Sequence, residues 1–225
     1  YGLMWGLRLR RLACARRTAG SVLQKCWQTP LPATGTDWRQ VSFLVADAEM
    51  SSLDANVGEL LSIGWVAVES GSVVLDTARH HLVKANKSVG QSAAIHSLRD
   101  CELSEAETGP EVLGHFLQAA AGKILVFHNA ALDMSYLNRL SRAAFGAPLL
   151  LPVVDTLLQE EFLLRRREQA IKSGDLRLHA CRERYGLPAY QGHNALLDAL
   201  ATAELLVALA AHRSGGKPFA LRRLL

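Results

Sequence analysis

The sequence predicts an α/β domain, and three observations carry that reading. The apolar run at 41–48 and two further strand candidates at 60–68 and 73–83 follow one another with short connections, the pattern of an antiparallel meander. Farther on, the apolar run Lys123–Phe127 passes directly into a helical segment beginning near Asn129, a strand-to-helix junction of the kind that builds mixed sheets. The 225 residues are 49% hydrophobic and 20% charged, enough apolar material for one substantial core and too little Gly and Pro for a repetitive or disordered class.

Taken in order, residues 1–40 read as a basic arm carrying Arg8, Arg10, Arg11, Arg16 and Arg17, closed by a linker with turn chemistry at Thr29–Pro32 and Thr34–Asp37. Trp5, Leu7, Leu9 and Leu12 interleave with those arginines, which suits docking to a polymerase, a nucleic-acid backbone or a membrane surface, or an organelle address. The main domain is expected over 41–212. Val41–Ala48 has the length and flanks of a buried strand, and Leu60–Val68 and Val73–Val83 join through Glu69-Ser70-Gly71-Ser72. Helical patterning starts near 102, with Pro110 at a first helical position and Val112, Leu113, Phe116 and Leu117 forming one stripe. Leu149–Val154 reads as a strand, and Asp155-Thr156 can cap a helix carrying Leu157, Leu158, Phe162 and Leu163. Leu176–Tyr185 and Asn194–His212 read as two further helices, and 213–225 as a basic tail.

The net charge of +4 is compatible with a polyanionic partner, although much of the excess sits in the first forty residues. Cys14, Cys26, Cys101 and Cys181 form no CxxC pair, which argues against a zinc knuckle or a disulfide framework and for a reducing cytoplasm. The acid-free, arginine-rich segment after Met4 also has the composition of a mitochondrial transit peptide, the alternative location. No membrane span is expected, because the longest apolar stretch, Ala195–Ala211, is interrupted by Asp198 and Glu204.

The chemistry concentrates in acids at element ends. Asp47 and Glu49 stand two apart on a buried strand and so share one face, where two unpaired carboxylates would repel unless a cation lay between them. Asp133 falls one turn into the helix opened by Asn129, and Asp198 in the first turn or so of an apolar helix, five positions after His193. Each residue alone has an ordinary explanation, such as an acid favoured by a helix dipole. Their order and setting carry the argument.

That order, together with Leu61-Ser62-Ile63-Gly64, Ile95-His96-Ser97-Leu98, Val126–Asp133, Val154–Leu157, Leu176–Pro188 and His193–Ala203, resembles the DEDDh 3′→5′ exonucleases over residues 41–212. The resemblance is to the family typified by the proofreading epsilon subunit of bacterial DNA polymerase III. It implies a ribonuclease H-like fold, a five-stranded mixed sheet flanked by helices. It also implies that Asp47, Glu49, Asp133 and Asp198 hold two divalent cations, Mg²⁺ or Mn²⁺, with Asp47 bridging them and His193 taking a proton from the attacking water. Carboxylates are hard oxygen ligands suited to these ions, and a pair of ions can stabilise both the attacking and leaving oxygens of an in-line displacement.

The implied substrate is the 3′ end of single-stranded nucleic acid, DNA in preference to RNA, released as nucleoside 5′-monophosphates. The resemblance places Met50, Ser51, Leu53, His96 and Asn129 at the substrate, with Leu53 offering an apolar surface to the terminal base. Met50-Ser51-Ser52 depart from the family's Thr-Thr-Gly here, which bears on how the 3′ end is gripped. His96 reads equally as a loop histidine without a role. No residue is identified that reads a 2′-hydroxyl, so an exoribonuclease on short RNA or RNA 3′ tails is the alternative. A non-catalytic nucleic-acid-binding or polymerase-associated module is the alternative of another class. No polymerase domain is visible, so proofreading would need a polymerase in trans; some relatives form homodimers.

Overall fold

The computed structural model describes residues 2–85, 103–190, 192 and 194–225. Its centre is the expected mixed sheet of five strands, in the order β3-β2-β1-β4-β5. The strands are β1 (Phe43–Met50), β2 (Leu60–Glu69), β3 (Ser72–Leu82), β4 (Ile124–Phe127) and β5 (Val153–Asp155). The meander β1-β2-β3 is antiparallel, whereas β4 and β5 add to β1 in parallel, each reached through a helical crossover.

Two helical layers cover the sheet. The period of two along β1 sends Leu44, Ala46, Ala48 and Met50 to one face and Phe43 and Val45 to the other. The first face meets α2 (Val22–Gln28), α3 (Gly109–Ala120) and α4 (Ala130–Phe145) through Leu23, Phe116, Leu117, Tyr136 and Leu137. The second face meets α7 (Ala195–Ser214) through Ala203, Leu206, Leu209 and Ala210. By the same alternation Asp47 and Glu49 continue the line of Phe43 and Val45, on the face that α7 covers. Helices α5 (Thr156–Arg166) and α6 (Leu178–Glu183) pack beside α7. By length and composition α7 could cross a bilayer, but half of its apolar window is buried, and that half is core.

Residues 2–40 do not stand off the domain as an arm. Helix α1 (Gly2–Cys14) and α2 place Cys14, Leu23 and Cys26 in the first core, and Trp38 lies in the second at 2% exposure. The C-terminal segment is likewise no free tail: Phe219, Leu221 and Leu224 are buried in the second core, and Ala220 bridges Asp37. Apolar burial outweighs the basic character that made the two segments read as an arm and a tail. Cys14, Cys26 and Cys181 are free thiols.

Element ends moved for identifiable reasons. The strand expected at Leu149–Val154 begins only at Val153, because Leu150 takes a positive φ of 49° and the carbonyls of Leu149 and Leu150 accept hydrogen bonds from Trp27 and Arg11. The helix expected over 176–185 contracts to Leu178–Glu183. Helix α4 does begin after Asn129, but that residue is left-handed, with φ 75°, and its side chain makes no cap hydrogen bond.

Candidate active site

The site is assembled at the C-terminal end of β1. In the antiparallel ladder Asp47 stands opposite Gly64 and Glu49 opposite Ser62. The first turn of α7 settles directly on Gly64, where an added Cβ would lie 2.3 Å from the Leu196 amide nitrogen and 2.4 Å from its Cα. Only glycine permits that approach. Asn194 caps the helix, its Oδ1 accepting from the amides of Leu196 and Leu197, both at 3.1 Å. Asp198, one turn in, thereby reaches the acids of β1, and Asp47, Glu49 and Asp198 each offer an oxygen with all three within 4.8 Å of one another.

Asp133 comes from α4 and stands slightly apart from that trio. β4 pairs with β1 only from Phe43 to Val45, so β1 runs on without a strand neighbour on that side. Asp133 fills the gap, its Oδ1 accepting the Ala48 N–H at 3.1 Å. It is buried, at 4% exposure.

The carboxylates disfavour one another's ionisation. Burial, followed by the charges of Asp133, Asp198 and Glu49, holds Asp47 well above the ordinary carboxylate range. Burial and Asp198 push Glu49 up to about 7. Asp133 is also raised, by burial and then by Asp155 and Glu49, against the lowering effect of its backbone hydrogen bonds. A hard divalent cation fits such a donor set: it needs oxygen ligands, and its charge offsets both the burial and the mutual repulsion that raise these groups.

Asp155 ties the neighbouring elements together. Its Oδ1 accepts from the amides of Asn129 (3.1 Å) and Leu157 (2.9 Å), and its Oδ2 from Ala130 (2.9 Å). One carboxylate therefore caps both α4 and α5 and takes the role that the sequence assigned to the Asn129 side chain. His128, between two hydrogen-bond partners, Thr156 Oγ1 and the Leu176 carbonyl, both at 2.8 Å, is structural.

The loop after β1 is held from α4. Tyr136 Oη donates to the Ser52 carbonyl at 2.6 Å, and Arg139 donates to the Gly58 carbonyl at 2.5 Å. Ser51 is engaged with Glu59, its hydroxyl accepting the Glu59 N–H at 2.8 Å. Leu53 projects from this loop at 85% exposure. Met50, expected at the substrate, instead has its side chain packed in the first core, because the strand alternation turns it to the face opposite Asp47 and Glu49. Asn129 is exposed beside Asp155. His193 and His96 lie outside the described residues; Gly192, next to His193, is close enough to Asp198 that a Cβ on it would stand 3.9 Å from Oδ1. Gly64, Tyr136, Arg139 and Asp155 were not singled out for the site by sequence reasoning. A glycine in an otherwise apolar strand was the available signal for the first.

A mixed sheet of this order, with clustered carboxylates on its central strand and the lead turn of a long helix, defines a nuclease of the ribonuclease H-like class. The Exonuclease family (RNase_T) is matched over residues 44–206, and the chain belongs to that family. Among curated proteins it is 29% identical over 173 residues to a DNA polymerase III PolC-type of Thermotoga petrophila, covering 76% of this chain but only 12% of that protein. It is 24% identical over 184 residues to a DNA polymerase III subunit epsilon of Treponema pallidum, covering 79% and 83% of the two chains. Among solved structures, the zinc-bound complex of E. coli ExoI with single-stranded DNA superposes with a TM-score of 0.64 at 16% identity, over 79% of this chain and 42% of that one.

Proposed function

We propose that this chain is a two-metal-dependent 3′→5′ exonuclease that shortens single-stranded DNA, releasing nucleoside 5′-monophosphates. The convergence of Asp47, Glu49 and Asp198 within 4.8 Å carries the reading. Relatives named as DNA polymerase III polypeptides support DNA over RNA, and the relative named as an epsilon subunit supports a polymerase as partner.

Asp47, Glu49 and Asp198, with Asp133 behind them, would hold Mg²⁺ or Mn²⁺. Bound there, the cations supply Lewis-acid stabilisation of charge on the attacking and leaving oxygens. Asp133 fixes its carboxylate on the Ala48 N–H and so holds its second oxygen in place. His193 accepts the proton of the attacking water, in the role the family resemblance gives it. Leu53, exposed on a loop that Tyr136 and Arg139 brace, stacks on the terminal base.

The test compares 5′-labelled single-stranded DNA and RNA of the same sequence, with Mn²⁺, Mg²⁺ or EDTA. A ladder of labelled DNA shortened from its 3′ end, absent with EDTA and absent in Asp47→Ala, is expected. Cleavage of RNA alone overturns the choice of DNA. No hydrolysis of either polymer with either ion overturns the enzymatic reading and leaves a nucleic-acid-binding module.

A further inference from the structure

Helix α1 is apolar on two opposite sides. Its inner side, Leu7, Arg11 and Cys14, is built into the fold: Leu7 and Cys14 pack on the first core. Arg11 donates to the Leu150 carbonyl from Nε at 3.0 Å and Nη2 at 2.8 Å, and to the Trp27 carbonyl from Nη1 at 3.3 Å. Trp27 Nε1 in turn donates to the Leu149 carbonyl at 2.6 Å. These anchors fix the rotation of the helix about its axis. They turn Trp5, Leu9 and Leu12 outward at 66%, 50% and 72% exposure, and the spacing i, i+4, i+7 makes them one stripe. Arg8 and Arg10 are exposed to either side of the stripe, and Arg16 is exposed just past the helix end. No Asp or Glu precedes Asp37, so no acid within the segment offsets this charge.

We propose that the outer face of α1 docks the domain on an anionic lipid bilayer, as a peripheral attachment. Trp and Leu seat at the boundary between headgroups and acyl chains, while arginine stems lie along the apolar surface and bring their guanidinium groups to lipid phosphates. A nucleic-acid backbone would engage the arginines but leave the apolar stripe in water; the bilayer surface accommodates both. The location agrees. Leu149 and Leu150 precede β5, which runs parallel to β1 by way of β4, whereas Asp47 and Glu49 stand at the C-terminal end of β1. The anchors of α1 are therefore at the opposite edge of the sheet from the acids, and a domain lying on lipid through α1 keeps its acids open to nucleic acid.

Flotation of the full chain with phosphatidylcholine vesicles, with and without phosphatidylglycerol, tests the proposal. The wild type is expected to float with the anionic vesicles only. The combined Trp5→Ser, Leu9→Ser and Leu12→Ser variant should bind them at least about tenfold more weakly. Arg8→Glu, Arg10→Glu and Arg16→Glu together should lose the preference for anionic lipid. All replaced side chains are solvent-exposed, so melting temperature and exonuclease activity on short single-stranded DNA should match wild type; a variant with a lowered melting temperature is replaced by its single substitutions. Failure of the wild type to float overturns the proposal, as does equal flotation of the serine variant. Loss of single-stranded DNA affinity in the arginine variant without flotation of the wild type assigns the face to nucleic acid instead.

Discussion

Gly64 and Leu196 approach so closely that no other residue fits at position 64: a Cβ there would stand 2.3 Å from the Leu196 nitrogen. Gly64 also faces Asp47 across the ladder, so the same contact sets how near the first turn of α7, and with it Asp198, comes to the acids of β1. Gly64→Ala should cost about 1–3 kcal/mol in thermal unfolding through overpacking. Hydrolysis should fall about 10²-fold even at temperatures where the variant is fully folded, since Asp198 is displaced. Wild-type activity in this variant would remove the positional role of Gly64.

Asp133 serves both backbone and site, and two substitutions separate the roles. Asp133→Asn keeps an oxygen for the Ala48 N–H while removing a charge that ionises unfavourably, so the metal-free melting temperature should hold or rise while Mn²⁺ affinity drops about 10–100-fold. Asp133→Ala leaves that buried N–H without its acceptor and should cost about 1–3 kcal/mol. Calorimetric melting and titration of Mn²⁺ check both.

The metal-free protein should lose stability as pH rises. Asp47, Glu49 and Asp133 all have folded values above their unfolded ones. Below the ordinary carboxylate range both states are protonated and the penalty is absent; above it the unfolded chain ionises first. The loss accumulates from that range upward and is complete for Glu49 above its folded value of about 7. Mn²⁺ should therefore raise the melting temperature more at about pH 8 than at about pH 5. A shift of equal size at both would contradict the cluster's electrostatics.

Tyr136 and Arg139 should act on substrate grip rather than chemistry. Tyr136→Phe and Arg139→Ala each release a carbonyl of the loop that presents Leu53. KM for a short DNA strand should rise about 2- to 10-fold, the worth of one hydrogen bond, with kcat nearly unchanged.

Asp155→Ala should be costlier than the loss of one cap. It leaves the amides of Asn129, Ala130 and Leu157 without their acceptor at the starts of two helices, so destabilisation of at least about 2 kcal/mol is expected in chemical denaturation.

Much of this molecule was legible in linear order. Strand-length segments with short connections placed the meander, Ile124–Phe127 feeding α4 placed the next strand-helix unit, and the shared face of Asp47 and Glu49 followed from alternation. Met50 obeys the same alternation, yet resemblance to a substrate-contacting position obscured that it faces the core. The terminal segments were misread because charge counts treat a helix as uniform. Arg11, Trp27 and Phe219 are spent on contacts with residues more than a hundred positions away, such as Arg11 and Trp27 on the carbonyls of Leu150 and Leu149.

By itself the sequence determined the α/β class, through local periodicity, and the family, through the order of its motifs, and the same motifs nominated the four acids, because periodicity and motif order are properties of the linear chain. Only the tertiary structure decided how those acids meet. Glycine at 64 lets α7 descend onto β2, the short pairing of β4 leaves Ala48 for Asp133, and Asp155 welds two helix starts into one frame. Those are steric and hydrogen-bond relations between distant segments, and they exist only once the sheet brings the segments together.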